Sequence, residues 1–276
     1  MLSIIRHCER SEAIQNLDCR VRPPVFLACT LQGAMTILAC LILSACAPQL
    51  PTSEKLEQIR LAKQDALATE ITASGLTLGQ PTYIRVFKSE NLVETWVQDE
   101  TTGRYAPFKT YPICNYSGLL GPKLMEGDRQ APEGFYTVTA RQMNPWSQYH
   151  LSFDIGYPNA FDRALGHTGS NLMIHGDCKS DGCYALTDPA IEEVYLLTEA
   201  SIREGHPVPV HIFPFRMHAR NMAQHNASPW SPFWQNLREG YDAFEITRIP
   251  PEIRVQTDLT GAMYIFEEQN FKTALY

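Results

Sequence analysis

The segment from Leu172 to Asp188 holds the residue types and the spacing best suited to chemistry. His175 ends an apolar run, and Cys183 follows eight residues later, after a polar loop and Gly182. A thiol of ordinary pKa is mostly protonated at neutral pH, so a cysteine nucleophile needs a base or a cation beside it. Because the loop is compact, His175 can approach the Cys183 sulfur. The spacing is therefore typical of a thiolate nucleophile that is activated by an imidazole.

Two further loop residues suit the same chemistry. Gly182 leaves the backbone open to substrate and allows successive N–H groups to point at a developing oxyanion. We expect Ser180 to form a hydrogen bond across the loop and to hold its shape. The loop would then carry the nucleophile and also stabilise the charge that its attack creates.

Other uses of these side chains remain open at this point. A lone histidine and a lone cysteine are more often structural than catalytic, since a buried cysteine packs as a small hydrophobic residue. A zinc site formed by His175, Cys178 and Cys183 lacks an evident fourth ligand, which a structural zinc site usually has. A disulfide between Cys178 and Cys114 is a third alternative in an oxidising compartment.

The elements around this segment predict an α+β fold dominated by strands. A helix is predicted at Asp188–Glu204, directly after the candidate catalytic loop, with Asp188 as its cap, Pro189 at its first position and Gly205 at its end. Short strands are predicted from alternating or continuous apolar residues at 82–87, 92–97, 109–114, 134–140, 150–155, 171–175 and 208–213.

Two more predicted helices flank this region. Ser53–Ala73 has apolar residues at near-helical spacing and Ser53 as a plausible N-cap, and Ser231–Phe244 forms a helix on a C-terminal extension. We therefore divide the chain into a leader (1–46), a tether and helix (47–75), a catalytic domain (76–215) and the extension (216–276).

The N-terminal region is typical of export. Met35–Ala45 is an apolar stretch of signal-peptide length, too short for a bilayer crossing of about 20 residues. It ends in Leu43-Ser44-Ala45-Cys46, which resembles a bacterial lipobox, so we expect a periplasmic protein held at a membrane by lipid on Cys46. An uncleaved anchor and an ordinary signal peptide are the alternatives. We interpret the polar residues 1–24 as the result of a start codon that was assigned too far upstream.

The composition excludes several classes of protein. A chain of 276 residues with 44% hydrophobic and 19% charged residues is globular, not disordered or fibrous. Its net charge is −7, and it has no run of lysine and arginine with interleaved aromatic residues, so a nucleic-acid partner is not expected. Five of the eight cysteines lie in the first 46 residues, which excludes a dense disulfide framework in the remainder.

Several segments together resemble the YkuD-type catalytic domain of the murein L,D-transpeptidases. The resemblance covers about Leu76 to Pro214, and Tyr149–Ala160 is particularly similar to the YafK-type branch of the family. The other matching segments are the signature Ile174-His175-Gly176 with Ser180-x-Gly182-Cys183, the strand entry Ala131–Tyr136 and the closing strand Val208–Phe213.

The resemblance implies a YkuD-like mixed β-sandwich and a mechanism without a metal or a cofactor. Cys183 is then the nucleophile, His175 is its general base, the Gly176 carbonyl is a candidate to orient the imidazole, and N–H groups near Gly182 and Cys183 form the oxyanion hole. The implied reaction is attack on an amide of a peptidoglycan stem peptide, formation of a thioester acyl-enzyme, and transfer to an amine or to water.

The chain departs from the family pattern at two places. Asp181 occupies a position where most members have a second histidine, and Tyr184–Leu186 stands where most have an arginine or asparagine. Both departures favour the YafK-type branch, whose members are implied to act as amidases between peptidoglycan diaminopimelate and the lysine of an attached lipoprotein. That lipoprotein is therefore a second implied partner besides the stem peptides.

Other candidate site residues carry weaker signals. His150 and His167 are candidates for lining the cleft, and Arg163 or Lys123 for contacting the carboxylates of stem peptides. The structural alternative for each histidine is a hydrogen-bonded side chain, and for each cation a solvated surface charge. A non-catalytic peptidoglycan-binding lipoprotein is the alternative to an enzyme, although a pure binding protein has no physical need for a nucleophile beside a base.

Overall fold

Two five-stranded sheets form the framework of the computed structural model, which describes residues 49–259 and 261–267. The helices are α1 (Glu54–Ala73), α2 (Ala160–Ala164), α3 (Asp188–Arg203), α4 (Ala219–Gln224) and α5 (Ser231–Thr247), and a 3-10 turn spans Ala140–Gln142. The strands are β1 (Thr82–Phe87), β2 (Leu92–Gln98), β3 (Tyr105–Pro112), β4 (Asn115–Tyr116), β5 (Gly134–Val138), β6 (Met143–Asn144), β7 (Ser152–Asp154), β8 (Met173–His175), β9 (Tyr184–Ala185), β10 (Val208–Phe213), β11 (Ile253–Asp258) and β12 (Gly261–Phe266). The predicted class, α+β with strands dominant and a helix after the catalytic loop, is confirmed.

Each large sheet contains one parallel pair of strands. The first has the order β3-β2-β1-β10-β5, in which β1 and β10 are parallel. The second has the order β4-β9-β8-β7-β6, in which β8 and β9 are parallel. Strands β11 and β12 form a separate antiparallel hairpin. The short second sheet carries the segment with the candidate catalytic residues.

The first sheet is covered on both faces, which explains why β1 is mostly apolar and why even its Arg85 is buried. Ile84 and Val86 belong to a core shared with α1, α3 and the second sheet, whereas Phe87 belongs to a second core with α5 and the C-terminal hairpin. Because side chains alternate along a strand, a strand covered on both faces has no solvent-facing positions, and the buried Arg85 is paired with Glu94 at 2.7 Å. All six residues of β1 are accordingly buried.

Helix α1 begins where the sequence predicts. The Ser53 side chain accepts a hydrogen bond from the Leu56 N–H at 3.2 Å, which satisfies one of the free donors at the helix start. Its buried residues are Leu56, Ile59, Leu67 and Ile71. The apolar stripe packs on the rest of the domain, as expected for a helix with one buried face.

The start of α3 differs from the prediction. Thr187 is the N-cap, and Asp188 is already the first helical residue. The Asp188 carboxylate instead accepts the Asp177 N–H from the catalytic loop at 2.8 Å. The end follows the expected pattern, because the chain leaves the helix after Glu204 through Gly205 at φ +88°.

The C-terminal extension contains strands as well as helices, whereas only a helix had been predicted there. It contains α4 and α5, but also the β11–β12 hairpin, whose Tyr264 is buried in the second core. The hairpin forms because alternate residues pack on that core while the others face solvent. Some predicted strands are also shifted or shorter than expected, such as β3, which begins at Tyr105.

The leader prediction, including lipidation of Cys46, falls outside the described residues. Within the described ranges, none of the helices has the length and apolar character that a membrane crossing requires.

Candidate active site

Strands β8 and β9 bring His175 and Cys183 to neighbouring positions. Their parallel register pairs Ile174 with Tyr184 and His175 with Ala185, and Cys183 directly precedes β9. The Met173 N–H points at the Cys183 sulfur, with 3.4 Å between nitrogen and sulfur. The imidazole and the thiol are therefore carried by adjacent strands of one sheet, about two positions apart along it.

The sulfur makes its contacts with the backbone and not with the imidazole. Besides the Met173 nitrogen, Sγ lies 3.6 Å from the carbonyl oxygen of Asn171, and Cys183 is a half-buried free cysteine. Among the described contacts no hydrogen bond joins Cys183 to His175. Catalytic hydrogen bonds of this kind often form only when substrate is bound, so their absence here does not oppose a proton transfer between the two side chains.

The His175 imidazole is held by its own neighbour. Its Nδ1 atom lies 2.6 Å from the Gly176 carbonyl oxygen, and its ring packs against the ring of Tyr149 with 4.7 Å between the centroids. Since a carbonyl can only accept, Nδ1 carries the proton and Nε2 is left as the basic nitrogen. Burial lowers the pKa of His175, an effect that the Gly176 carbonyl and Asp177 partly oppose.

The surroundings of Cys183 raise the pKa of its thiol and so disfavour its ionisation. Burial raises the pKa of the thiol, the Met173 N–H lowers it, and the carboxylates of Asp154 and Asp181 raise it further. With the pKa of His175 lowered, the resting site favours a neutral thiol and a neutral imidazole. In this resting state the thiol needs a base to become a thiolate, which is the role predicted for His175.

Internal hydrogen bonds fix the loop between the two residues. Ser180 Oγ donates to the Cys183 carbonyl at 2.6 Å. Asp177 and Cys178 adopt the left-handed backbone conformation, with φ of 64° and 42°. The loop therefore has a defined shape before any substrate binds.

A disulfide between Cys114 and Cys178 ties this loop to the strand region that precedes β4. Of the alternatives open for Cys178, the structure has the disulfide, so its sulfur is not a thiolate ligand for the considered zinc site. Within the described part of the chain, no group of three or more histidine, cysteine, aspartate or glutamate side chains is arranged to hold a metal ion.

Gly176 is required by close packing. A Cβ atom there would lie 2.6 Å from Asp188 Oδ1 and 2.9 Å from the His150 Cβ atom. Its N–H donates to the Tyr149 carbonyl at 3.0 Å. Any side chain at this position would push α3 and the 145–150 loop away from His175.

Ser117 is a site residue that the sequence analysis missed. Its hydroxyl oxygen accepts the Gly182 N–H at 2.6 Å, although the two residues are 65 positions apart. Gly182 has φ +108°, a conformation that favours glycine. Because its N–H already has an acceptor, the Cys183 N–H is the better candidate for an oxyanion donor than the Gly182 N–H.

A polar cavity of about 300 Å³ is lined in part by Asn171, whose carbonyl oxygen contacts the Cys183 sulfur, and by Leu172. The exposed Arg129 forms an ion pair of 3.4 Å with Asp181 at this cavity. The buried Lys123 donates to Asp128 at 2.5 Å. The lining residues are Lys123, Glu126, Gly127, Arg129, Ser170, Asn171, Leu172 and Asp181.

The three predicted substrate contacts lie elsewhere. His150 Nε2 is 2.7 Å from a Glu192 carboxylate oxygen, and His167 Nδ1 is 3.3 Å from Asp162. Arg163 is exposed and donates to the Pro158 carbonyl. None of the three lines the cavity beside Cys183, whereas Lys123 does and Arg129 was missed.

Comparisons with known proteins identify the family of the domain that carries this site. Residues 81–212 match the family model "YkuD: L,D-transpeptidase catalytic domain". The chain is 46% identical over 179 residues to the Escherichia coli (strain K12) protein named "Putative L,D-transpeptidase YafK", covering 64% of this chain and 72% of that protein, and it matches the Escherichia coli O157:H7 protein of the same name equally well.

Solved structures give more distant matches. The helical cell shape determining protein Pgp2 from Campylobacter jejuni aligns at 20% identity with a TM-score of 0.40, over 70% of this chain and 80% of that one. Bdellovibrio bacteriovorus Bd1075 aligns at 20% identity with a TM-score of 0.34, over 59% and 60%. From the family-model match and the identity to YafK, the chain belongs to the YkuD family of L,D-transpeptidase catalytic domains.

Proposed function

We propose that this protein is a cell-wall enzyme that cleaves an amide of a peptidoglycan stem peptide through a thioester on Cys183. The observation that carries the proposal is the placement of His175 on β8 and of Cys183 directly before the adjacent β9, near an open polar cavity. The family membership supports the same chemistry. A protein that only bound peptidoglycan would need no free thiol there.

The first half-reaction starts from the neutral pair. The Cys183 sulfur attacks the amide carbonyl while its proton passes to His175 Nε2, and the Gly176 carbonyl holds the Nδ1–H of the resulting imidazolium. The Cys183 N–H is assigned to the oxyanion. Collapse breaks the C–N bond, the leaving amine takes the proton from Nε2, and the acyl group stays on sulfur as a thioester.

The second half-reaction depends on the acceptor. An amine gives a new amide and water gives a carboxylic acid, and in both cases His175 removes the acceptor's proton and returns it to the departing sulfur. Acyl transfer to an amine is the assignment that the family name supports. Hydrolysis is the second candidate, favoured by Asp181 in place of the family's second histidine, with the lysine amide of a peptidoglycan-attached lipoprotein as the bond cleaved.

Arg129 is assigned to a carboxylate of the stem peptide. Its guanidinium is exposed at the cavity, and among the residues that the structure describes its ion pair is with the exposed Asp181. A substrate carboxylate can therefore replace Asp181 at little desolvation cost and gain a bidentate partner. His150, His167 and Arg163 remain predictions, and their observed partners support structural roles for the two histidines.

The proposed location is the periplasm, with the protein anchored by lipid on Cys46. The Leu43-Ser44-Ala45-Cys46 tetrapeptide supports this assignment. Cells grown with labelled palmitate are expected to label the wild-type protein and not the Cys46→Ser variant. Label on the variant would contradict the anchor.

Turnover of defined muropeptides tests the proposed function. The protein is incubated with peptidoglycan fragments, with and without an attached lysine peptide, and the products are identified by mass spectrometry. New crosslinks identify a transferase, and released tripeptide ends identify an amidase. Cys183→Ala is expected to abolish both products, whereas binding without any product in the wild type would support the non-catalytic alternative.

A further inference from the structure

A short loop over residues 145–150, between β6 and β7, is held by the N-terminal helix. Ser53 Oγ donates to the Pro145 carbonyl at 3.0 Å. Lys55 Nζ donates to the Ser147 carbonyl at 3.3 Å and also to the His150 carbonyl. The first turn of α1 therefore supplies three hydrogen bonds to the backbone of this loop.

The other end of the loop is tied to α3. His150 has φ +66°, and its Nε2 atom lies 2.7 Å from a carboxylate oxygen of Glu192. Lys63 of α1 forms an ion pair with the same Glu192 side chain at 2.5 Å. Because side chains of both α1 and α3 form hydrogen bonds with the loop, its backbone has little freedom to move.

Tyr149 lies in this loop and contacts both the candidate base His175 and its neighbour Gly176. Its ring packs on the His175 ring, with 4.7 Å between centroids and 35° between planes. Its carbonyl accepts the Gly176 N–H at 3.0 Å. Tyr149 therefore touches the imidazole and also the N–H of Gly176, the residue whose carbonyl binds Nδ1.

We propose that Tyr149 is a positioning residue for the His175 imidazole and that α1 fixes Tyr149 in place. The inference rests on the proposed function, since it gives His175 a catalytic task. One hydrogen bond at Nδ1 anchors one atom of the imidazole but leaves the ring free to tilt about it. Packing against the flat face of Tyr149 restricts that tilt and so controls where Nε2 points.

Loss of the Tyr149 ring is expected to change kcat more than KM. A displacement of about 1 Å in a catalytic group can cost about 100-fold in rate. Tyr149→Ala is expected to lower kcat about 10- to 100-fold and to change KM by less than about threefold, because the residue acts on the base and not on the substrate. Tyr149→Phe keeps the ring and is expected to restore most of kcat.

Matched controls come from the same loop and the same helix. Trp146 is the neighbouring exposed aromatic residue, with 65% of its surface accessible, and Trp146→Ala is expected to leave kcat unchanged. On α1, Lys55→Met removes the loop contacts and is expected to lower kcat in the same direction as Tyr149→Ala. Leu61 is 87% exposed on that helix, and Leu61→Ala is its control.

The experiment uses the full chain with two readouts. Turnover of muropeptides gives kcat and KM, and alkylation of Cys183 across a pH series, followed by mass spectrometry of its peptide, reports the base without any substrate. His175→Ala is run in parallel, and circular dichroism confirms that each variant is folded. Should Tyr149→Ala not fold, Lys55→Met and Tyr149→Leu, which keeps apolar bulk without a flat ring, carry the test.

The outcomes separate this inference from the proposed function. Loss of kcat in Tyr149→Ala, recovery in Tyr149→Phe and a shifted alkylation profile support the positioning role. A wild-type kcat in Tyr149→Ala overturns it, and so does an equal loss in Tyr149→Phe, which would assign the effect to the hydroxyl. If His175→Ala changes neither turnover nor alkylation, the proposed function itself fails.

Discussion

Reduction of the Cys114–Cys178 disulfide is expected to destabilise the protein and to slow its chemistry. The bond joins residues 64 positions apart, with Cα atoms 5.4 Å from each other. Cys178 lies between His175 and Cys183, in a loop whose backbone adopts two consecutive left-handed residues. Without the bond, this loop loses its link to the chain before β4.

The size of the effect follows from the length of the closed loop. Cross-linking removes conformational entropy from the unfolded chain, and for a loop of this length the chain-entropy relation gives about 4 kcal/mol at 25 °C. A change of that size in a chain of this length corresponds to a fall in Tm of about 8–16 °C. Because the loop carries the nucleophile, kcat is expected to fall by about tenfold or more.

Urea unfolding with and without dithiothreitol measures the stability change. Tryptophan fluorescence reports the transition, and muropeptide turnover is measured in the same buffers. The matched control is the double variant Cys114→Ser/Cys178→Ser, whose curve should superimpose on that of the reduced wild type and should not respond to the reductant. Cys183→Ser should respond to it as the wild type does.

If the reduced wild type unfolds at the same urea concentration as the oxidised protein, the predicted loss of stability is refuted. It would also be refuted if the double-serine variant responded to the reductant like the wild type. Either result would mean that the disulfide does not constrain this loop.

Three further predictions concern buried groups around the site. Lys88→Met is expected to lower the free energy of unfolding in urea by about 3–5 kcal/mol, because it leaves the buried carboxylate of Glu133, 3.0 Å away, without its cation. Adding Glu133→Gln should recover much of this loss. Additive losses from the two substitutions would contradict the prediction. Alkylation of Cys183 should keep rising with pH above the range of an ordinary thiol, because burial raises its pKa, and the acid limb of turnover should lie below the usual histidine range, because burial lowers the pKa of His175. An alkylation rate that reaches its plateau below neutral pH would refute the raised pKa of Cys183. Ser117→Ala should cost about 1–3 kcal/mol and lower kcat, because it removes the acceptor of a buried N–H, and Ser117→Thr should largely restore both.

Local patterns in the sequence were sufficient for the main elements and for the candidate chemistry. Strand β1 and helix α1 lie where apolar periodicity and the Ser53 cap predict them, because alternation and capping act between residues close in the chain. The pairing of Cys183 with His175 was likewise inferred from one segment and from its likeness to a family signature. These inferences needed no knowledge of how distant segments meet.

The C-terminal hairpin shows where local patterns fell short. Its strands are mostly exposed on one side, so their apolar content is low, and they form because Tyr264 enters a core built by β5, β10 and α5. Only the partner surface makes this alternation favourable. In the extension, the sequence accordingly predicted the helix at Ser231–Phe244 and not the hairpin.

The tertiary structure alone decided the surroundings of the two candidate residues. Ser117, Arg129 and Tyr149 reach the site from segments far from it in the chain, and the choice of a disulfide for Cys178 depends on where Cys114 lies. The sequence could name the thiol and the imidazole, but their pKa directions come from burial by the whole fold. Residue type and spacing are local properties, whereas desolvation and contacts between distant segments exist only once the chain has folded.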